Sequence, residues 1–99
     1  MHATLRRLQC EVGKASEVAG LIESEYLPQL REIDGVVSYT LMLAGEDQIS
    51  SLGVFASESS AQRANELAVA WAKNRLARLA AAPLEASDGE VLLHASFSS

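Results

Sequence analysis

The chain alternates before it turns helical. From Leu5 to Val12, Leu8, Cys10 and Val12 fall on one side and Arg7, Gln9 and Glu11 on the other, the period of a half-buried strand. Gly13 and Lys14 end it. Ser16 is placed to cap a helix in which Val18, Leu21, Ile22, Tyr26, Leu30 and Ile33 recur at the spacing of one buried stripe. Pro28 lacks an amide donor and crowds the turn before it, which predicts a kink or a restarted helix, then a stop at Asp34-Gly35.

A second strand follows from Val36 to Leu43, with Val37, Tyr39, Leu41 and Leu43 on one face and Val36, Ser38, Thr40 and Met42 on the other. Ala44-Gly45-Glu46-Asp47-Gln48 has the length and polarity of a hairpin turn. Ile49 to Phe55 returns as a third strand, with Gly53 a bulge or a point of close contact. Ser59 and Gln62 fit a capping box, and the helix they open is predicted to run to about Ala82, before Pro83. Its inner stripe is Ala64, Leu67, Ala68, Trp71, Arg75 and Leu79. A last strand is expected from Glu90 to Phe97, with Val91, Leu93, Ala95 and Phe97 on its apolar face.

Asp34-Gly35 and Asp88-Gly89 each follow a helical stretch and open a strand, so the chain reads as two βαβ units of similar layout. The order β-α-β-β-α-β with right-handed crossovers predicts a ferredoxin-like α+β sandwich: a four-stranded antiparallel sheet with two helices on one face. By alternation Val36, Met42, Ile49, Phe55 and Leu92 point to the face the helices leave open, beside Gln9, Ser38, Thr40 and His94. That surface is too apolar for water, and a second copy packed sheet to sheet would cover it. A homodimer through the sheet faces is therefore expected.

Composition narrows the function classes. A chain of 99 residues predicts a single domain spanning 1–99, and a domain this small gains from oligomerisation. Thirteen Asp and Glu against eight Lys and Arg give a net charge of −5. The basic residues are scattered, with Arg63, Lys73, Arg75 and Arg78 interleaved among acids and alanines, so nucleic acid is disfavoured as a partner. The lone Cys10 excludes an internal disulfide, and no Cys and His cluster offers a structural zinc site. No segment has the apolar length of a signal peptide or a membrane span, which makes cytoplasmic the expected location.

Three segments carry a resemblance. Gly35-Val36-Val37-Ser38-Tyr39, Ile49-Ser50-Ser51-Leu52-Gly53-Val54-Phe55 and Ala64-Asn65-Glu66-Leu67-Ala68-Val69-Ala70-Trp71-Ala72 resemble the antibiotic biosynthesis monooxygenase (ABM) type of domain in the dimeric α/β barrel superfamily. The resemblance spans nearly the whole chain and its pieces are structural. It implies a homodimer whose sheets form a barrel, with a pocket in each subunit between helices and sheet. It further implies oxygenation of an electron-rich aromatic or polyketide-like compound without metal, flavin or other cofactor, the protein supplying a dry cavity, orientation and proton handling. Haem-degrading relatives use a first-strand Asn and an axial His near the end of the second helix. Here those stretches read Leu8-Gln9-Cys10-Glu11 and Leu79-Ala80-Ala81-Ala82, so that route is disfavoured.

The candidate site residues are Tyr39, Trp71 and Asn74. Tyr39 is on the strand face turned toward the helices, where a phenol serves either as a proton-handling group or as a core tyrosine. Tyr26 is a weaker alternative for the same role. Trp71 lies on the inner helical stripe, either as a pocket wall with one donor or as the packing anchor of the helix. Asn74 lies near the same face, to assist with its amide or to stand exposed in the last turns; Asn65 lies too far around the helix from Trp71 to share a site unless the pocket wraps the helix. His94 alternates with Leu92 and Ser96 and should face the partner sheet, His2 carries no signal, and Cys10 reads as a packing residue with no base beside it. The rival to an oxygenase is a non-catalytic dimeric binding or interaction module.

Overall fold

The computed structural model describes residues 1–98, in which four strands form one antiparallel sheet in the order β2-β3-β1-β4. The strands are β1 (His2–Gln9), β2 (Val36–Leu43), β3 (Gln48–Phe55) and β4 (Glu85–Glu90). On one face lie α3 (Glu58–Arg75) and a rod in which α1 (Ala15–Leu21) continues through a π-helical turn (Ile22–Tyr26) into α2 (Leu27–Leu30). Each helical crossover skips one strand, which puts β1 and β3 in the centre. This is the expected ferredoxin-like fold.

Pro28 does not break the rod. The π-helical turn ends with the Leu27 amide donating to Ile22 O, and Pro28 then enters the first turn of α2, where its missing donor leaves no bond unmade. The turn buries Ile22 and Tyr26 against the sheet. Helix α1 begins one residue before the expected cap, and Lys14 holds the cap position without a side-chain bond.

The junction before β2 is pinned from the other helix. Ser57, two residues before the predicted cap, accepts from the Ser60 amide at 3.2 Å. Ser60 Oγ in turn donates to Asp34 O at 2.8 Å. Gly35 stands beside it at φ +92°, and any Cβ there would collide with Ser60 Oγ, so both conformation and space require glycine.

Several expectations are corrected, while Gly53 keeps one of the two roles expected for it. The bulge lies between Val36 and Ser38 in β2, whereas Gly53 is the point of close contact, where a Cβ would come within 3.0 Å of the Phe55 ring. The bulge turns Val36 into the core and leaves Val37 exposed, the reverse of strict alternation.

Ile49 and Phe55, expected on the open face, are buried under the helices. Their pairing with Leu8 and His2 puts them on the same face as Leu8. On the open face Leu5, Leu52 and Met42 are exposed by 43%, 43% and 56%, while Val54, on the same face, is buried.

Helix α3 stops at Arg75 rather than near Ala82. Alanine favours helix, but the backbone beyond β1 needs partners. The Glu11 amide donates to Leu79 O at 2.8 Å, the Ala81 amide to Gln9 O at 2.7 Å, and Ala80 bridges to Cys10. Val12, expected to end the inward face of the first strand, is therefore past its end and exposed.

The last strand is Glu85–Glu90, not Glu90 to Phe97. The register sets Glu90 opposite His2, and the Val91 amide donates to Met1 O at 2.9 Å. Residues 92–98 run past the paired length of β1, leaving Leu92, Leu93 and Phe97 88–95% exposed. His94 lies in this exposed tail. His2 proves to be an ordered member of β1, with Nε2 2.8 Å from Asp88 Oδ2. Among the described residues no helix is long and apolar enough to cross a membrane.

Candidate active site

The sheet face beneath the helices presents Arg6 and Leu8 from β1, Tyr39 and Leu41 from β2, and Ile49 and Ser51 from β3. With Ile22 and Tyr26 from the π-helical turn and Ala68 and Trp71 from α3, they line a cavity of about 50 Å³. The aromatic wall is continuous: the Tyr26 ring lies 5.9 Å from that of Tyr39 and 5.4 Å from that of Trp71, both pairs tilted.

Burial sets the protonation of this wall. It pushes the Tyr26 phenol up to about 12, with the Arg6 charge opposing and Tyr39 adding to the rise. The Tyr39 phenol is also raised by burial, against the Ser51 hydroxyl and the Arg6 charge. At neutral pH both phenols are protonated. They donate hydrogen bonds and do not act as bases.

The indole donor of Trp71 is engaged outside the cavity. Nε1 donates to Glu25 Oε1 at 3.3 Å, and Arg75 clamps the same carboxylate, Nε to Oε1 at 2.7 Å and Nη2 to Oε2 at 2.8 Å. The Arg75 hydrogen bond holds the Glu25 carboxyl below its usual range, with Trp71 adding to the shift. Because the π-helical turn packs Tyr26 inward, its neighbour Glu25 meets α3 from the other side. Trp71 therefore presents its ring to the cavity and its N–H to the clamp.

Arg6 is the unexpected member. It is only 7% exposed, its Nη2 donates to Asn65 Oδ1 at 2.6 Å, and its Nε is buried without a partner. Among the described residues no carboxylate forms an ion pair with it.

Beside the cavity opens a cleft of about 530 Å³, walled by Asn65, Val69 and Lys73 of α3 and by apolar residues of the connector, among them Ala77, Pro83 and Ala86. The early end of α3 creates it. Arg6, Leu8, Ala72, Leu76 and Leu84 line both spaces, so the two meet there.

Of the three candidates the structure brings Tyr39 and Trp71 together and leaves Asn74 out: it is exposed and lines neither space. At about 100° per residue, Asn74 and Asn65 flank the buried stripe of α3 on opposite sides, roughly 90° from its middle. Asn65 is on the side of the cleft, where it meets Arg6. Arg6, Ser51 and Glu25 were missed by sequence reasoning. Alternation counted back from Leu8 reaches Arg6, but nothing in the sequence distinguishes it from Arg7 as a buried cation.

No protein-family model and no curated protein matches the sequence. Solved structures do match. A Nitrosomonas europaea protein of unknown function, NE2512, superposes with a TM-score of 0.82 at 21% identity, covering 99% of this chain and 95% of that one. ActVA-Orf6 of Streptomyces coelicolor, a monooxygenase solved with the ligand nanaomycin D, gives 0.74 at 14% identity over 99% and 92% of the two chains. A dimeric ferredoxin-like protein from an uncultured marine organism gives 0.72 at 17% identity over 98% and 92%. Other matches bear the names antibiotic biosynthesis monooxygenase and cofactor-independent oxygenase. The chain has the ABM-like fold; at these identities the likeness concerns the fold alone.

Proposed function

We propose that this protein binds a small aromatic or polyketide-like molecule, with the bulk of the ligand in the cleft and one edge reaching the cavity beneath Tyr39 and Trp71. The observation that carries this reading is the junction of the two spaces at Arg6, Leu8, Ala72, Leu76 and Leu84. The cleft has the volume of small-molecule sites, roughly 300–1,000 Å³. The inner cavity suits a single small group.

The chemistry we propose is oxygenation of an electron-rich phenol by dioxygen; neighbours of this fold are named a monooxygenase and a cofactor-independent oxygenase. Tyr39 would donate a hydrogen bond to a ligand oxygen, and the Trp71 ring would orient the ligand. Asn74, exposed, has no part in this arrangement. Oxygen uptake with a panel of electron-rich phenols tests the activity, and Tyr39→Phe and Trp71→Phe are expected to lower it. Uptake indistinguishable from a protein-free control for every phenol would remove the oxygenase.

A non-catalytic binding module is the second reading, and one observation favours it. Beside Arg6, the titratable groups lining the cavity are Tyr26 and Tyr39, whose phenols burial keeps protonated and unable to act as bases. Binding of the phenols without oxygen uptake would select it.

The assembly we propose is a homodimer through the open sheet face. Support comes from Leu5, Leu52 and Met42 on that face and from the exposed apolar tail beside β4. A neighbour of the same fold is dimeric. Sedimentation should give twice the chain mass at micromolar concentration; a stable monomer would contradict it.

A further inference from the structure

We propose that Arg6 is the receptor for an anionic oxygen on the ligand, so that the site selects acids over neutral molecules of the same shape. The inference rests on the ligand-binding reading above and goes beyond it by naming the charge the ligand carries. A guanidinium withdrawn from water needs a counter-charge or a full set of acceptors. Arg6 has one neutral acceptor, Asn65 Oδ1, and a buried Nε with none.

The surroundings make the deficit specific. The chain carries thirteen Asp and Glu, yet among the described residues none lines the cavity or the cleft. The charged residues on those walls are Arg6, where the spaces meet, and Lys73 on the cleft. Ser51, opposite Arg6 in the β1–β3 pair, and Tyr39 add hydroxyl groups to the same cavity. A carboxylate or an ionised enol reaching the cavity would pair with the Arg6 guanidinium and accept from the two hydroxyls, while the body of the molecule stayed in the cleft. The apolar surroundings strengthen the attraction: with the phenols protonated, Arg6 is, among the described residues, the one charge the cavity holds, and its pull on an anion is less screened there than in water.

Calorimetric titration of the whole protein with 2-naphthoate and with 2-naphthamide tests this. These probes match in shape and differ in charge. The naphthoate should bind about tenfold or more tightly than the amide, the worth of one charge-assisted hydrogen bond. Arg6→Met should erase that preference, bringing the affinity for the naphthoate down to that for the amide. Asn65→Asp, a substitution at an exposed position, keeps the guanidinium and supplies it with an internal carboxylate; it too should erase the preference, which guards against a misfolded Arg6 variant. Equal affinity of the unaltered protein for both probes would overturn the anion site while leaving the ligand-binding reading in place, as would a preference surviving in both variants. Failure of both probes to bind would overturn the two readings together.

Discussion

Trp71 Nε1 donates to Glu25 Oε1 at 3.3 Å, which removes the only indole donor of the chain from the cavity its ring helps to wall. The contact ties the π-helical turn to α3, and Arg75 completes it from one helical turn further along. Glu25→Gln keeps the shape and loses the charge. It should weaken the Arg75 clamp, lower the melting temperature and red-shift Trp71 emission as the indole loosens. Acid should mimic the variant: a carboxyl whose folded pKa is depressed contributes stability above its unfolded value and loses it as pH falls through the folded one. Emission that responds neither to the substitution nor to pH below the usual carboxylate range would deny the clamp a role.

Tyr26 predicts the opposite behaviour in alkali. Its folded pKa, raised to about 12 by burial, exceeds the 10.0 of a free tyrosine, so the native state holds its proton where the unfolded chain has lost it. The contribution is complete below pH 10 and is lost as pH rises toward 12, on the order of 2 kcal/mol across that window. Tyrosinate absorbance should appear together with loss of helical circular dichroism, and Tyr26→Phe should flatten the alkaline decline. Titration of every tyrosine near pH 10 in the folded protein would contradict this placement.

Much of the fold was legible because it rests on patterns that tertiary contacts reinforce. Leu8 and Cys10, the Val18 to Leu30 stripe, and Ala64, Ala68 and Trp71 all bury as their spacing predicts. The misreadings share one cause: local preference yielding to backbone pairing. Ala80 and Ala81 are good helix formers drawn into a bridge with the end of β1. The bulge in β2 exchanges Val36 and Val37, and alternation has no sign of it. Val91, Leu93 and Phe97 alternate as a half-buried strand does, yet the polar Glu85–Glu90 segment is what pairs with β1. Of the site, Tyr39 and Trp71 could be found because aromatic residues on inward faces are conspicuous. Arg6 could not, since burial of a charge depends on what the fold places around it.

The tail offers a test that separates folding from assembly. Residues 92–98 lie outside the sheet and the hydrophobic core, so truncation after Val91 should leave the circular dichroism of the subunit unchanged. If the tail and the open sheet face belong to one dimer contact, the truncated chain should sediment as a monomer or in a concentration-dependent equilibrium, and Leu52→Glu should do the same. An unchanged dimer after both alterations would place the interface elsewhere.

Arg6 carries a stability signature that packing residues lack. Leu, Phe and Trp side chains in this core contribute by being buried, so shortening Phe55 should cost about 3–5 kcal/mol. A buried guanidinium short of partners works the other way. Arg6→Met keeps most of the volume, removes the desolvation cost, and releases Asn65, which is exposed and returns its amide to water. The variant should therefore be more stable than the parent in the absence of ligand, by about 1–3 kcal/mol in urea titration. With a carboxylate ligand at saturation the gap should narrow, by about 1.4 kcal/mol for a tenfold difference in affinity, because the ligand stabilises the parent more than the variant. An Arg6→Met protein less stable than the parent in the absence of ligand would mean that the hydrogen bond to Asn65 holds β1 to α3. The cation would then serve the fold and not the site.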